Sequence, residues 1–285
     1  MINAILEAFQ FTFMRNALAA GLLVSIACGI IGTYVVVNRI VFISGGIAHA
    51  AYGGIGLGYF LGINPIFGAI GFSLLSALGM GAVQRKTKER ADTIIGVMWA
   101  IGMALGIILI DRSAGYKADL MSYLFGSILS VPGSDLVLMA ILDFSIIVLV
   151  SLFYKELQAI SFDETFTTLQ NVPVNALYLL LLAMIAVTVV MMMRVVGLIM
   201  VIALLTIPAA ISGMHVHSLK SMMILSTLLG MVFTLIGLWL SYSWNLTSGA
   251  TIILISGIGY LISLLIQSWR ASRDKRTWQM PKVNS

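Results

Sequence analysis

The sequence predicts an all-α polytopic membrane protein with eight or nine transmembrane helices, and three observations carry that prediction. Of the 285 residues, 60% are hydrophobic and only 9% charged, where a soluble domain is about 25% charged. The mean hydropathy is +1.06. The apolar residues fall in continuous runs near 20 residues long, the length a helix needs to cross roughly 30 Å of hydrocarbon. These runs lack the period-two alternation of a membrane strand, which excludes a β-barrel.

Taken in order, residues 3–14 are too short to span and read as an interfacial helix. Candidate spans follow at about 15–38, 41–62, 64–84, 92–111, 134–154, 175–193, 195–213, 219–241 and 248–267. The apolar stretch 118–131 (ADLMSYLFGSILSV) is too short for a crossing and suits a re-entrant or surface helix, closed off by Pro132 and Gly133. The chain is thus one membrane domain over 1–285, with a bundle at 15–267, a polar cytoplasmic loop at 155–174 and a cytoplasmic tail at 268–285.

Basic residues set the orientation. With 85–91 (RKTKERA) in the cytoplasm, alternation of the nine spans places twelve of the sixteen Lys and Arg on that side, leaving Arg15, Arg112, Lys117 and Arg194 outside. This bias puts the N-terminus out and the C-terminus in. It also accounts for the net charge of +5 without nucleic acid. The single cysteine, Cys28, lies in an apolar run, so disulfides and thiolate clusters are excluded. No basic n-region or small-residue cleavage site marks a signal peptide.

The stretch 37–65 (VNRIVFISGGIAHAAYGGIGLGYFLGINP) carries the one His inside an apolar run, His49. Gly45, Gly46, Gly53, Gly54, Gly56 and Gly58 strip bulk from its helix, allowing close helix contact. An ionisable side chain in hydrocarbon usually faces a polar pathway or bundle interior. A His bonded to a backbone carbonyl, tying helices together, is the plainer alternative. Asp143 is the only carboxylate well inside a span. At about 1.5 Å per residue its depth is close to that of His49, which leaves a shared site open, with bonding of Asp143 to backbone or Ser as the alternative.

In the polar loop, Ser161-Phe162-Asp163-Glu164 reads as a capping box, with Ser161 as N-cap. Asn171 suits the left-handed conformation at the far end, and Pro173 prevents continuation. A cytoplasmic helix of about nine residues is expected, rigid enough to dock a partner. Thr206 and Pro208 predict a kink in the span 195–213. His215 and His217 read as solvated. No Gly-x-x-x-x-Gly-Lys-Ser/Thr loop and no intramembrane nucleophile–base or carboxylate pair is present, so no catalytic residue, ATPase site or enzyme activity is expected.

Four stretches together resemble the permeases of ABC-type zinc and manganese importers, the metal-specific branch related to the vitamin B12 and siderophore permeases. They are Asn38 to Gly62 around His49; Asp92 to Gly96 with Leu124-Phe125-Gly126; Ser161 to Pro173; and Val196-Gly197 through Pro208 to Ala210. The resemblance implies a type II ABC importer permease fold and a homodimer with the path between subunits. It further implies cytoplasmic ATPase partners that use ATP, an extracytoplasmic metal-binding protein, and no permanently bound cofactor. Transported zinc or manganese would meet His49, and Ser161, Phe162, Asp163, Glu164 and Asn171 would couple to the ATPase. Manganese-type members carry Asp where this chain has Gly45, and Gly53 replaces a Pro; the lost oxygen ligand leans toward zinc. An ion-coupled secondary carrier would use the same His49 but need no docking helix, and a scaffold that transports nothing would need neither His49 nor a path.

Overall fold

The structure is a computed structural model that describes residues 10–86, 91–113, 126–198 and 201–278. Eight of its helices are long and apolar enough to cross a bilayer. They are α1 (Thr12–Val37), α2 (Val41–Leu61), α3 (Pro65–Lys86), α4 (Ala91–Arg112), α5 (Gly133–Leu152), α8 (Val174–Val195), α10 (Leu219–Trp244) and α11 (Ser248–Trp278). Two short helices, α6 (Tyr154–Phe162) and α7 (Glu164–Leu169), occupy the polar loop, and α9 (Val201–His215) lies between α8 and α10. No strand occurs among the described residues.

Local chemistry sets these boundaries. Gly62 ends α2 at φ 68°, where its N–H reaches the Tyr59 carbonyl and that of Ile63 reaches Gly58. Only a residue without a Cβ takes this left-handed turn at no cost. Pro65 then opens α3, its φ already helical and its missing N–H not needed there. The Asn64 side chain accepts from the Ile66 amide at 3.0 Å.

Two layers meet in the bundle. α2 packs chiefly on α3 and α4, and α1 on α10, α9 and α5, while α8 contacts α1, α2 and α3 and so joins the two groups. The glycine ladder does what its composition implies. A Cβ on Gly54 would lie 2.7 Å from the Ala69 Cα, and one on Gly53 would lie 2.8 Å from the Gly102 carbonyl oxygen. At both positions backbone meets backbone, so no rotamer change relieves a clash. Gly54→Ala is therefore expected to lower stability by about 1–3 kcal/mol, read as an earlier thermal transition of the purified chain in detergent. An unchanged transition would mean that α2 and α3 can separate freely.

Several expectations are corrected here. The expected eight or nine helices are eight long ones and one short apolar one: α8 ends at Val195, Gly197 turns at φ 81°, and α9 begins at Val201 with 15 residues, shorter than the expected 195–213, before α10 starts at the end where Lys220 and Tyr154 line one groove. Pro208 sits inside α9 and is buried. Thr206 donates to the Ile202 carbonyl at 2.7 Å, not to the carbonyl that Pro208 frees. The polar loop is mostly helical, since Tyr154–Phe162 forms a separate helix directly after α5 and before α7 begins. α11 continues as a helix beyond its apolar part, which ends at Arg270, to Trp278.

The interfacial helix at 3–14 and the re-entrant stretch 118–131 fall largely outside the described residues. The described end of the latter does dip inward. Ile128 is fully buried, its Cδ1 lying 3.4 Å from where a Gly21 Cβ would be, and the Asn16 amide donates to the Val131 carbonyl.

Candidate functional site

Two groups of residues stand out, one inside the bundle and one beside the helix α7. On α2, His49 is half-buried, and its Nδ1 lies 3.0 Å from the Gly45 carbonyl oxygen one turn earlier. A carbonyl only accepts, so Nδ1 carries the proton and Nε2 keeps its lone pair. This is the arrangement in which a His offers one nitrogen to a metal while the other is held by a backbone carbonyl. The Trp99 ring of α4 lies 4.0 Å from the imidazole, tilted by 36°, and is itself anchored by an N–H bond to the Met103 sulfur. The carbonyl belongs to His49's own helix, so the bond orients the ring and ties no two helices together.

Gly45 leaves room where an acid would sit. A Cβ there would lie 2.7 Å from the Cδ1 of Ile202 on α9, the far end of a flexible side chain that can turn away. Gly46 faces Ile95 and Met80 in the same manner. Asp143 is 3% exposed on the inner stripe of α5, with Met139, Ile146 and Val150. That stripe packs on α1 and α8, and α5 does not share a principal contact with α2. Neither carboxylate oxygen of Asp143 has a hydrogen-bond partner, so the expected bond to backbone or Ser is not formed. His49 and Asp143 thus lie on faces turned to different neighbours. Among the described residues no three of His, Cys, Asp and Glu gather as a metal cluster.

The second group surrounds α7. Its N-cap is Asp163, whose side chain accepts from the Phe166 amide at 2.9 Å. Ser161 is not the cap: it lies in α6, donates to the Leu157 carbonyl at 2.7 Å and accepts from the Asn38 amide at 3.0 Å. The capping-box reading fails because α6 continues through Phe162, which leaves Asp163 as the first residue free of helical geometry. α7 accordingly has six residues, not about nine. Asn171 does take the left-handed conformation, at φ 58°.

The inner side of α7 is pinned. Glu164 pairs with Arg85 of α3 at 3.0 Å, and the same guanidinium bonds Asn175 and lies 4.7 Å over the Tyr178 ring. Tyr178 bonds Gln84. Arg85, Glu164, Tyr178, Asn38 and Asp92 line one polar cavity of about 850 Å³. Away from this cavity the surface is apolar: Phe166 is 58% exposed and Phe162 just before α7 is 67% exposed, while Leu169, 76% exposed, stands at the edge of the cavity itself. Sequence reasoning picked out Phe162 and missed Phe166 and Leu169. Their signal was present, as three large apolar residues spaced by four and three inside a polar loop. Arg85 and Trp99 gave no such signal, since a loop-end Arg and a span Trp are ordinary.

His215, read as solvated, is exposed, and its Nε2 also lies 2.8 Å from the Ser263 hydroxyl of α11.

Eight long apolar helices among the described residues, with the His49 imidazole held in one orientation inside the bundle, fit a membrane transport subunit. The chain belongs to the ABC 3 transport family, which matches residues 10–267. It is 62% identical over 264 residues to an uncharacterized membrane protein of Synechocystis sp., covering 93% of this chain and 94% of the relative. It is 35% identical over 256 residues to the manganese transport system membrane protein MntC of Listeria monocytogenes, covering 90% and 91%. The fold matches a chain of PsaBC from Streptococcus pneumoniae, solved in complex with a Fab, with a TM-score of 0.84 and 34% identity over 92% of this chain and 95% of that one. It is a multi-pass protein of the prokaryotic plasma membrane.

Proposed function

We propose that this chain is the permease subunit of an ATP-driven importer of a divalent metal ion. In this reading two copies form the translocation path between them, with two copies of a separate ATPase on the cytoplasmic side and a metal-binding protein outside. The observation that carries it is the α6–α7 pair, held by Arg85 at Glu164 and by Asn38 at Ser161, with Phe162 and Phe166 exposed away from the polar cavity and Leu169 exposed at its edge. Exposed aromatics on a rigid element in the aqueous loop suit a protein partner, because large apolar anchors dominate such interfaces. Asp163 and Asn171 fix the two ends of that element. A secondary carrier needs no such feature, and the family membership does not favour one.

His49 lines the path in this proposal, presenting Nε2, while Asp143 stays outside its coordination sphere. The metal is cargo, and two observations point to different ions. Gly45 removes the hard oxygen donor, and imidazole alone suits zinc better than manganese. The names of relatives such as MntC favour manganese. Competition between the two ions, in cells lacking their own importers, decides the matter. The wild type is expected to prefer zinc, and Gly45→Asp to shift preference toward manganese by roughly tenfold or more, Ile202 turning aside to admit the carboxylate. An identical preference in both proteins would show that position 45 does not face the cargo.

A further inference from the structure

A groove that shares no lining residue with the cavity beside α7 opens between α1, α5 and α10 at the end of the bundle where α6 begins. Its volume is about 570 Å³, within the roughly 300–1,000 Å³ of small-molecule sites. Buried Val150 and Met223 form its floor together with Ile30. Ile147, Ile224 and Leu228 line its rim and are exposed by 40%, 54% and 53%, so it opens sideways, toward the surface a bilayer covers. Toward the end nearest α6, its lining changes to Ser151, Tyr154 and Lys220.

We propose that this groove binds an anionic phospholipid of the cytoplasmic leaflet, its acyl chain along the apolar floor and its phosphate at Lys220. Three features select this occupant. Lys220 is exposed, and no ion pair involves it among the described residues. It stands in the first turn of α10, the positive end of that helix, where Ser218 caps the Ser221 N–H and no acidic residue adds a negative charge. The hydroxyl-bearing Ser151 and Tyr154 sit at the same end, the level at which headgroups lie, while everything beyond is hydrocarbon-like. A zwitterionic lipid would satisfy the apolar part but bring its own cation to Lys220. Basic pockets between helices on the cytoplasmic side are a known means of holding anionic headgroups.

The proposal shares with the permease reading only the assignment of this end to the cytoplasm, and its test involves no transport. The full-length chain is purified in detergent, titrated with dioleoyl-phosphatidylglycerol or dioleoyl-phosphatidylcholine, and examined by native mass spectrometry. Wild type is expected to retain the phosphatidylglycerol adduct roughly fivefold more strongly. Lys220→Glu is expected to bring the two lipids to parity, Lys220→Arg to keep the preference, and Leu228→Trp to weaken both adducts by filling the groove. Equal retention by wild type, a preference that survives Lys220→Glu, or adducts untouched by Leu228→Trp would each overturn it. So would an inter-subunit disulfide at Ile224→Cys in a Cys28→Ser background, since a second copy would then cover the groove.

Discussion

Phe166→Glu is expected to abolish ATP-driven metal uptake while leaving the chain inserted and folded. Phe166 is 58% exposed and packs little within its own chain, so its replacement removes almost nothing from the fold. A central aromatic anchor is typically worth about 2 kcal/mol or more at an interface, roughly thirtyfold in affinity at 1.4 kcal/mol per tenfold. A carboxylate placed against an apolar groove adds to that loss. The measurement is co-purification of the ATPase with the tagged permease, alongside uptake in cells. Glu164→Lys acts differently, because it sets a cation against Arg85 across 3.0 Å and frees α7 from α3. That variant should retain the ATPase, keep hydrolysing ATP and lose uptake. Asp163→Ala should cost about 1 kcal/mol through the lost N-cap, more than Ser161→Ala does at α7. If Phe166→Glu binds the ATPase and transports as wild type does, α6 and α7 are a connector and nothing more.

His49→Ala is expected to reduce uptake at least about tenfold with the complex intact. Loss of a second-shell partner at a metal site commonly costs roughly 10- to 100-fold, and loss of the imidazole that offers its lone pair costs no less. The substitution leaves a gap beside Trp99, whose ring lies 4.0 Å away, so His49→Gln serves as a control that fills the space without restoring an imidazole. Both variants should bind the ATPase normally. Asp143→Asn is expected to leave metal preference unchanged, because its α5 face is turned to α1 and α8. Full uptake by His49→Ala would move the path away from α2.

Much of this was legible in the sequence, for identifiable physical reasons. Span length and composition decide whether a helix crosses hydrocarbon, and those quantities are local; hence α1 to α5, α8, α10 and α11 lie close to their expected places. The glycines around His49 announced close packing because nothing but a missing Cβ permits Gly54 to approach Ala69. The misreadings arise where two local signals compete or where the answer is tertiary. Ser161 and Asp163 are both good caps, and the choice fell to Asp163 because Ser161 is engaged by Asn38 from the α1–α2 turn. The apolar run 195–213 holds enough hydrophobic residues for a span, yet Gly197 turns it, and the approach of Gly126 to Gly197 shows why no side chain could be carried there. Depth along a helix is roughly readable from residue counts, but facing direction is not, so the sequence could not decide whether His49, beside Trp99, and Asp143, on the inner stripe of α5, meet.

The most direct test of the account is uptake by proteoliposomes containing the permease together with the ABC ATPase that co-purifies with it. External metal-binding protein is supplied loaded with radiolabelled zinc or manganese, and ATP is enclosed or omitted. The account predicts accumulation that requires internal ATP, persists when proton and sodium gradients are collapsed, and is lost with either Phe166→Glu or His49→Ala. Accumulation by the permease alone, driven by an ion gradient and indifferent to ATP and to Phe166→Glu, would contradict it.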